Sequence, residues 1–127
     1  MRIMIDFKNG KVMKLKSTGD FSSEKTLAPL LVTGENVVGE FKGVRDYVVF
    51  TNKRVIAINT QGVTGKKKDL TSLPYSKIQL FSVETSGLMD MDSELELYFS
   101  GVGAIRFEFA SAKELMDIAH IISGYVL

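Results

Sequence analysis

Five cations fall around two loops of this sequence. Lys42 and Arg45 flank the short stretch "KGVR", and Lys66, Lys67 and Lys68 follow the loop "QGVTG". In an antiparallel meander the first and third connections lie at the same end, so these residues converge. Such a cluster could hold an anion or a lipid headgroup, or meet the acidic surface of another subunit. Lysine also blunts exposed hairpins and strand edges, and the plainest reading is a solvated hairpin end. Lys53 and Arg54 lie in the intervening turn, at the opposite end, and are read as serving turn geometry together with Asn52.

The second pattern is acidic. "DMDSELE" puts Asp90, Asp92, Glu94 and Glu96 at every second position, so in an extended chain four carboxylates share one face. An EF-hand loop would require glycine where Leu95 stands, and the sequence continues as strand instead. The row is therefore read as a solvated strand face or as an acidic contact for a neighbouring subunit, with no metal. Catalytic material is absent. His120 is the lone histidine, cysteine is missing, and no serine is placed to pair with the histidine. Gly101-Val102-Gly103 reads as a hairpin connection, and "GVTGKKKD" has neither the spacing nor the following helix of a phosphate loop. We expect no catalytic residues, no cofactor and no enzyme activity.

The elements that must position these residues follow from periodicity. After "SSEKTLAPLLVTGE", read as a short helix capped by Ser22 or Ser23 and limited by Pro29, the period changes to two. Strands are expected in "NVVGEFKG", "RDYVVFT", "RVIAINT", "KKKDLTSL", "YSKIQLFSVET", "SELELYFS" and "AIRFEFA". Such regular spacing indicates an antiparallel sandwich or barrel. The chain closes with a helix: Ser111 and Glu114 form a capping box, and Leu115, Ile118, Ala119 and Ile122 make an apolar stripe. The first 20 residues stand apart as an extension. Asn9-Gly10 suits a hairpin there, with a short helix as the alternative.

The motifs "RDYVVFTNKRVI", "QGVTGKKKDLTSLPYSKI", "FSVETSG" and "DMDSELELYFSG" together resemble the bacterial pleckstrin homology (PH)-like family over residues 24–126. The resemblance implies a PH-like seven-stranded antiparallel barrel capped by the C-terminal helix, spanning 21–127. It also implies self-assembling, ring-forming oligomers of unknown role rather than established lipid readers.

Bulk properties narrow the field further. Net charge is +1, but residues 1–68 hold 13 Lys+Arg against 6 Asp+Glu, while residues 69–127 hold 3 against 9. A compact domain with that split has a basic side and an acidic side, and another copy of itself is one partner that fits. A protein partner of another kind is also compatible. General nucleic-acid binding is not expected, because the charge is balanced and Tyr47, Tyr75, Phe81 and Phe99 are dispersed across strands. No apolar run approaches the roughly 20 residues of a membrane span, and the charged N-terminus lacks a secretory signal. A cytoplasmic location is expected. A membrane surface, met through the lysine-rich end, is the secondary expectation.

Overall fold

The computed structural model describes residues 11–19, 21–43, 46–61, 67–85, 92–110 and 115–127. Eight strands and a C-terminal helix build it, which matches the expected mainly-β plan with one strand added. The strands are β1 (Lys11–Ser17), β2 (Val37–Lys42), β3 (Tyr47–Thr51), β4 (Arg54–Gln61), β5 (Lys67–Pro74), β6 (Ile78–Thr85), β7 (Ser93–Phe99) and β8 (Gly103–Phe109). They form one sheet in the order β5-β4-β3-β2-β1-β8-β7-β6. A short 3-10 turn, Tyr75–Lys77, joins the two edge strands β5 and β6.

The added strand comes from the N-terminal extension. β1 pairs antiparallel with β2 and parallel with β8, so it stitches the two halves of the sheet together. Leu15 is its inward anchor and is fully buried. The Asn9-Gly10 signal, and the Ser111–Glu114 capping box, lie outside the described residues.

Alternation explains the interior. Phe41, Val48, Phe50, Val55, Leu95, Leu97, Ile105, Phe107 and Phe109 all point inward, and Phe41 packs edge-on to Phe50 and Phe109. Helix α2 (Leu115–Val126) presents the anticipated stripe, with Leu115, Ile118, Ala119 and Ile122 all buried. Ile118 packs over Gly39 of β2, where an added Cβ would sit 3.4 Å from Ile118 and 3.1 Å from the Phe41 ring. The β7–β8 hairpin turns through Gly101 and Gly103, at φ 81° and 107°, backbone angles that glycine adopts without steric penalty.

The segment 18–36 behaves differently from its prediction. Helix α1 (Glu24–Leu27) is a single turn that ends before Pro29, and Ser23 occupies its N-cap position without capping it. The hydroxyl is engaged elsewhere, by Glu40. Residues 18–19 and 21–36 thus form a strap across the outer face of β2–β4. Leu27 is buried there with Val37, Val49, Ile56 and Ile58 in a second apolar cluster, flanked by Leu31 and Tyr47.

Candidate functional site

Three surfaces carry charged chemistry, and they differ in how fully their groups are satisfied. The first is under the strap. Glu40, 1% exposed, accepts hydrogen bonds from the Thr18 hydroxyl (2.8 Å), the Ser22 hydroxyl (3.4 Å), and both the backbone N–H (2.8 Å) and the hydroxyl of Ser23. Burial opposes ionisation, but these donors outweigh it and hold the carboxyl below its ordinary value. Glu35 is solved differently. Arg54 grips it with Nε and Nη2, each at 2.9 Å, while the Thr51 hydroxyl donates at 2.7 Å and the Val32 N–H at 3.1 Å. Burial again opposes the charge, and again the hydrogen bonds prevail and depress its pKa. Arg54 also reaches the Leu30 carbonyl and Ser72, so it ties the strap to β4 and β5. Its role is therefore not turn geometry. Sequence periodicity missed all three residues because most of their partners lie 16 to 24 positions away.

The second surface is the lysine-bearing end. Lys42 lies opposite Tyr47, and its ammonium sits 5.7 Å from that ring's centroid. Lys16 of β1 stands directly opposite Lys42, an addition that the sequence reading did not include. Lys67 and Lys68 begin β5 and are exposed, at the same end of the sheet. Two strands separate β5 from β2 and the register offsets Lys68 by two residues, so Lys42 and Lys68 lie roughly 16 Å apart. Arg45 and Lys66 lie outside the described residues.

The third surface is the outer face of β6–β8. Register places Glu84, Glu94 and Glu108 directly opposite one another in a row across three strands. The next row is Ser82, Glu96 and Arg106, and the one after it is Leu80, Tyr98 and Ala104. Arg106 pairs with Glu96 at 3.0 Å, and its Nε lies 3.7 Å from Glu94. The Glu96 hydrogen bond leads the causes that raise the Arg106 pKa. Glu94 and Glu96 do share a face, as their spacing implied, and exposed Asp92 immediately precedes β7. Asp90 lies outside the described residues. Glu84 and Glu108, contributed by the neighbouring strands, are invisible to a pattern read along one strand. Among the described residues no acid or histidine cluster could hold a metal ion, and His120 is exposed on α2. No helix among them is long and apolar enough to cross a membrane.

Comparison with known proteins returns a consistent neighbourhood. A family model described as the bacterial PH domain matches residues 6–126. The uncharacterized protein YjqA of Bacillus subtilis is 43% identical over 103 residues, covering 80% of this chain and 82% of its own length. A solved DUF1696-family protein with a pleckstrin-homology domain, from Shewanella loihica, superposes with a TM-score of 0.69 at 34% identity. That match covers 91% of this chain and all of the other. A pleckstrin homology domain from Shewanella amazonensis is 42% identical, with a TM-score of 0.58, over 82% of this chain and 85% of the other.

Proposed function

The chain belongs to the bacterial PH domain family, and on that premise we propose that it is a non-enzymatic, cytoplasmic interaction module that self-assembles head-to-tail into a ring. One observation carries the reading: the separation of charge within a single sheet. Lys16, Lys42, Lys67 and Lys68 occupy the half built from β1–β5, and Asp92, Glu94 and Glu96 occupy the other. Two such unlike surfaces fit a heterologous contact, in which one patch meets a different patch on the next copy. Among the described residues β5 and β6 are the edge strands, and their outer backbone groups suit the same contact.

The second reading, anionic-lipid binding through Lys42, Arg45, Lys66, Lys67 and Lys68, draws its support from the juxtaposed Lys16 and Lys42. Against it stands the spacing from Lys42 to Lys68, beyond the Debye length of about 8 Å at physiological salt.

Light scattering on a sizing column, at low and high salt, tests the assembly. A defined oligomer that loosens as salt rises supports it, and a monomer at both salts overturns it. Sedimentation with anionic vesicles that is lost in Lys67→Glu/Lys68→Glu would establish the lipid reading in its place.

A further inference from the structure

The middle of the strap is built as a separate body. Its backbone N–H groups donate from Glu24 to Phe21, from Leu27 to Ser23, from Ala28 to Glu24 and from Leu31 to Leu27, all within residues 21–31. Among residues 21–33 Leu27 alone is buried, so a single side chain plugs the apolar patch of Val37, Val49, Ile56 and Ile58. The ends of this body have the character of pivots. Gly19 and Gly34 stand at φ 75° and 83°, and glycine takes φ of either sign about equally well. Outside them the chain is pinned. The Thr18 N–H donates to the Glu40 carbonyl at 3.1 Å, and the Asn36 N–H donates to Asn52 Oδ1 at 2.8 Å.

Lifting the body between these pivots strands no charge. Ser22 and Ser23 hold Glu40 with their hydroxyls and the Ser23 N–H. Farther along, the Leu30 carbonyl accepts from Arg54, and the Val32 N–H donates to Glu35. Each strap group in these ties is neutral. Glu35 lies beyond Gly34, so its bonds to Arg54 survive and no ion pair is broken. Glu40 keeps Thr18, also outside the pivots, and meets water where Ser22 and Ser23 had been. The cost of opening is one leucine returned to water and a few hydrogen bonds exchanged for hydration, far less than the loss of the barrel core.

We propose that residues 21–33 are a hinged cover, latched by Glu40, that swings off β2–β4 as one unit while the barrel stays folded. Opening bares Val49, Ile56 and Ile58, an apolar face that the closed molecule hides. The cover works within one copy and does not depend on self-assembly.

Native-state hydrogen exchange of the full chain, followed residue by residue, tests this. Relative to their intrinsic rates, the amides of Leu27, Ala28 and Leu31 are expected to exchange at least about tenfold faster than those of β3 and β7. Ile105→Val, a mild loss in the barrel core, should speed exchange in β7 and β8 about two- to tenfold. It should leave the cover's amides unchanged, because the cover opens without disturbing Ile105. Glu40→Gln should speed the amides of Leu27, Ala28 and Leu31 together, by about fivefold or more. Equal acceleration of cover and barrel amides in Ile105→Val overturns the proposal, since the strap then opens only when the barrel unfolds. Cover amides indifferent to Glu40→Gln remove the latch. A response at Leu27 and Ala28 without one at Leu31 removes the single unit, and either result also sinks the idea.

Discussion

The two outer faces of this sheet are built by the same alternation and finished in opposite ways. Over β2–β4 the outward residues Val37, Val49, Ile56 and Ile58 are apolar, and the strap seals them with Leu27. Over β6–β8 the outward residues are Glu84, Glu94, Glu96, Arg106 and Glu108, and among the described residues no element covers them. Carboxylates occur on both faces. Under the strap every acid is saturated, Glu35 by a guanidinium and Glu40 by hydroxyls and an N–H alone. On the open face, Glu94 keeps an oxygen without a hydrogen bond among the described residues, 3.7 Å from Arg106 Nε. The contrast separates charge that ties the strap to the sheet from charge that lies on the sheet's open face.

The largest break in that contrast should come from Arg54→Ala, which strands the buried carboxylate of Glu35. A loss of about 3–5 kcal/mol in urea denaturation is expected. The matching substitution on the open face, Arg106→Ala, should leave the midpoint where it was. Equal effects would abolish the distinction between the faces. Leu27→Ala comes next, since it empties a fully buried position in the seal: a loss of about 2–4 kcal/mol, read by thermal unfolding. Glu40→Gln keeps the shape but removes the charge that gathers four donors, and about 1–3 kcal/mol should be lost.

The same carboxylates set a pH signature. Glu35 and Glu40 have native pKa values below the ordinary 4.5, so their stabilisation is complete above that value. It fades as pH falls from about 4.5 through the depressed native values, because protons then bind the unfolded chain more readily. In Glu40→Gln, the fall in stability over this window should be shallower than in the wild type. An identical acid limb would show that Glu40 takes no part. Smallest of all is Glu84→Gln, where relief of like-charge repulsion should stabilise by no more than about 0.5 kcal/mol, visible as a slight rise in the denaturation midpoint.

Much of this was legible because it is local. Strand periodicity placed β2–β8, and the spacing of Leu115, Ile118, Ala119 and Ile122 placed α2 and its buried face. The shared face of Glu94 and Glu96 follows from two-residue alternation alone. β1 was less visible: "KVMKLKS" alternates poorly, and its parallel partner β8 lies near the other end of the chain. Ser23 shows the same limit from the other side. Its type and position suit a helix cap, and a carboxylate 17 residues away outbids the helix for its hydroxyl.

By itself, the sequence determined the strand-and-helix plan, the inward residues and the split of charge between the two halves, since each depends on neighbours within a few positions. Tertiary structure alone decided which acids are saturated and which stand in a row. Glu84, Glu94 and Glu108 become neighbours only through the register of three strands. Glu40 and Glu35 become anchors only when the strap folds over β2–β4. Hydrogen bonds and like-charge contacts act over a few ångströms of space, and chain separation carries no record of that distance.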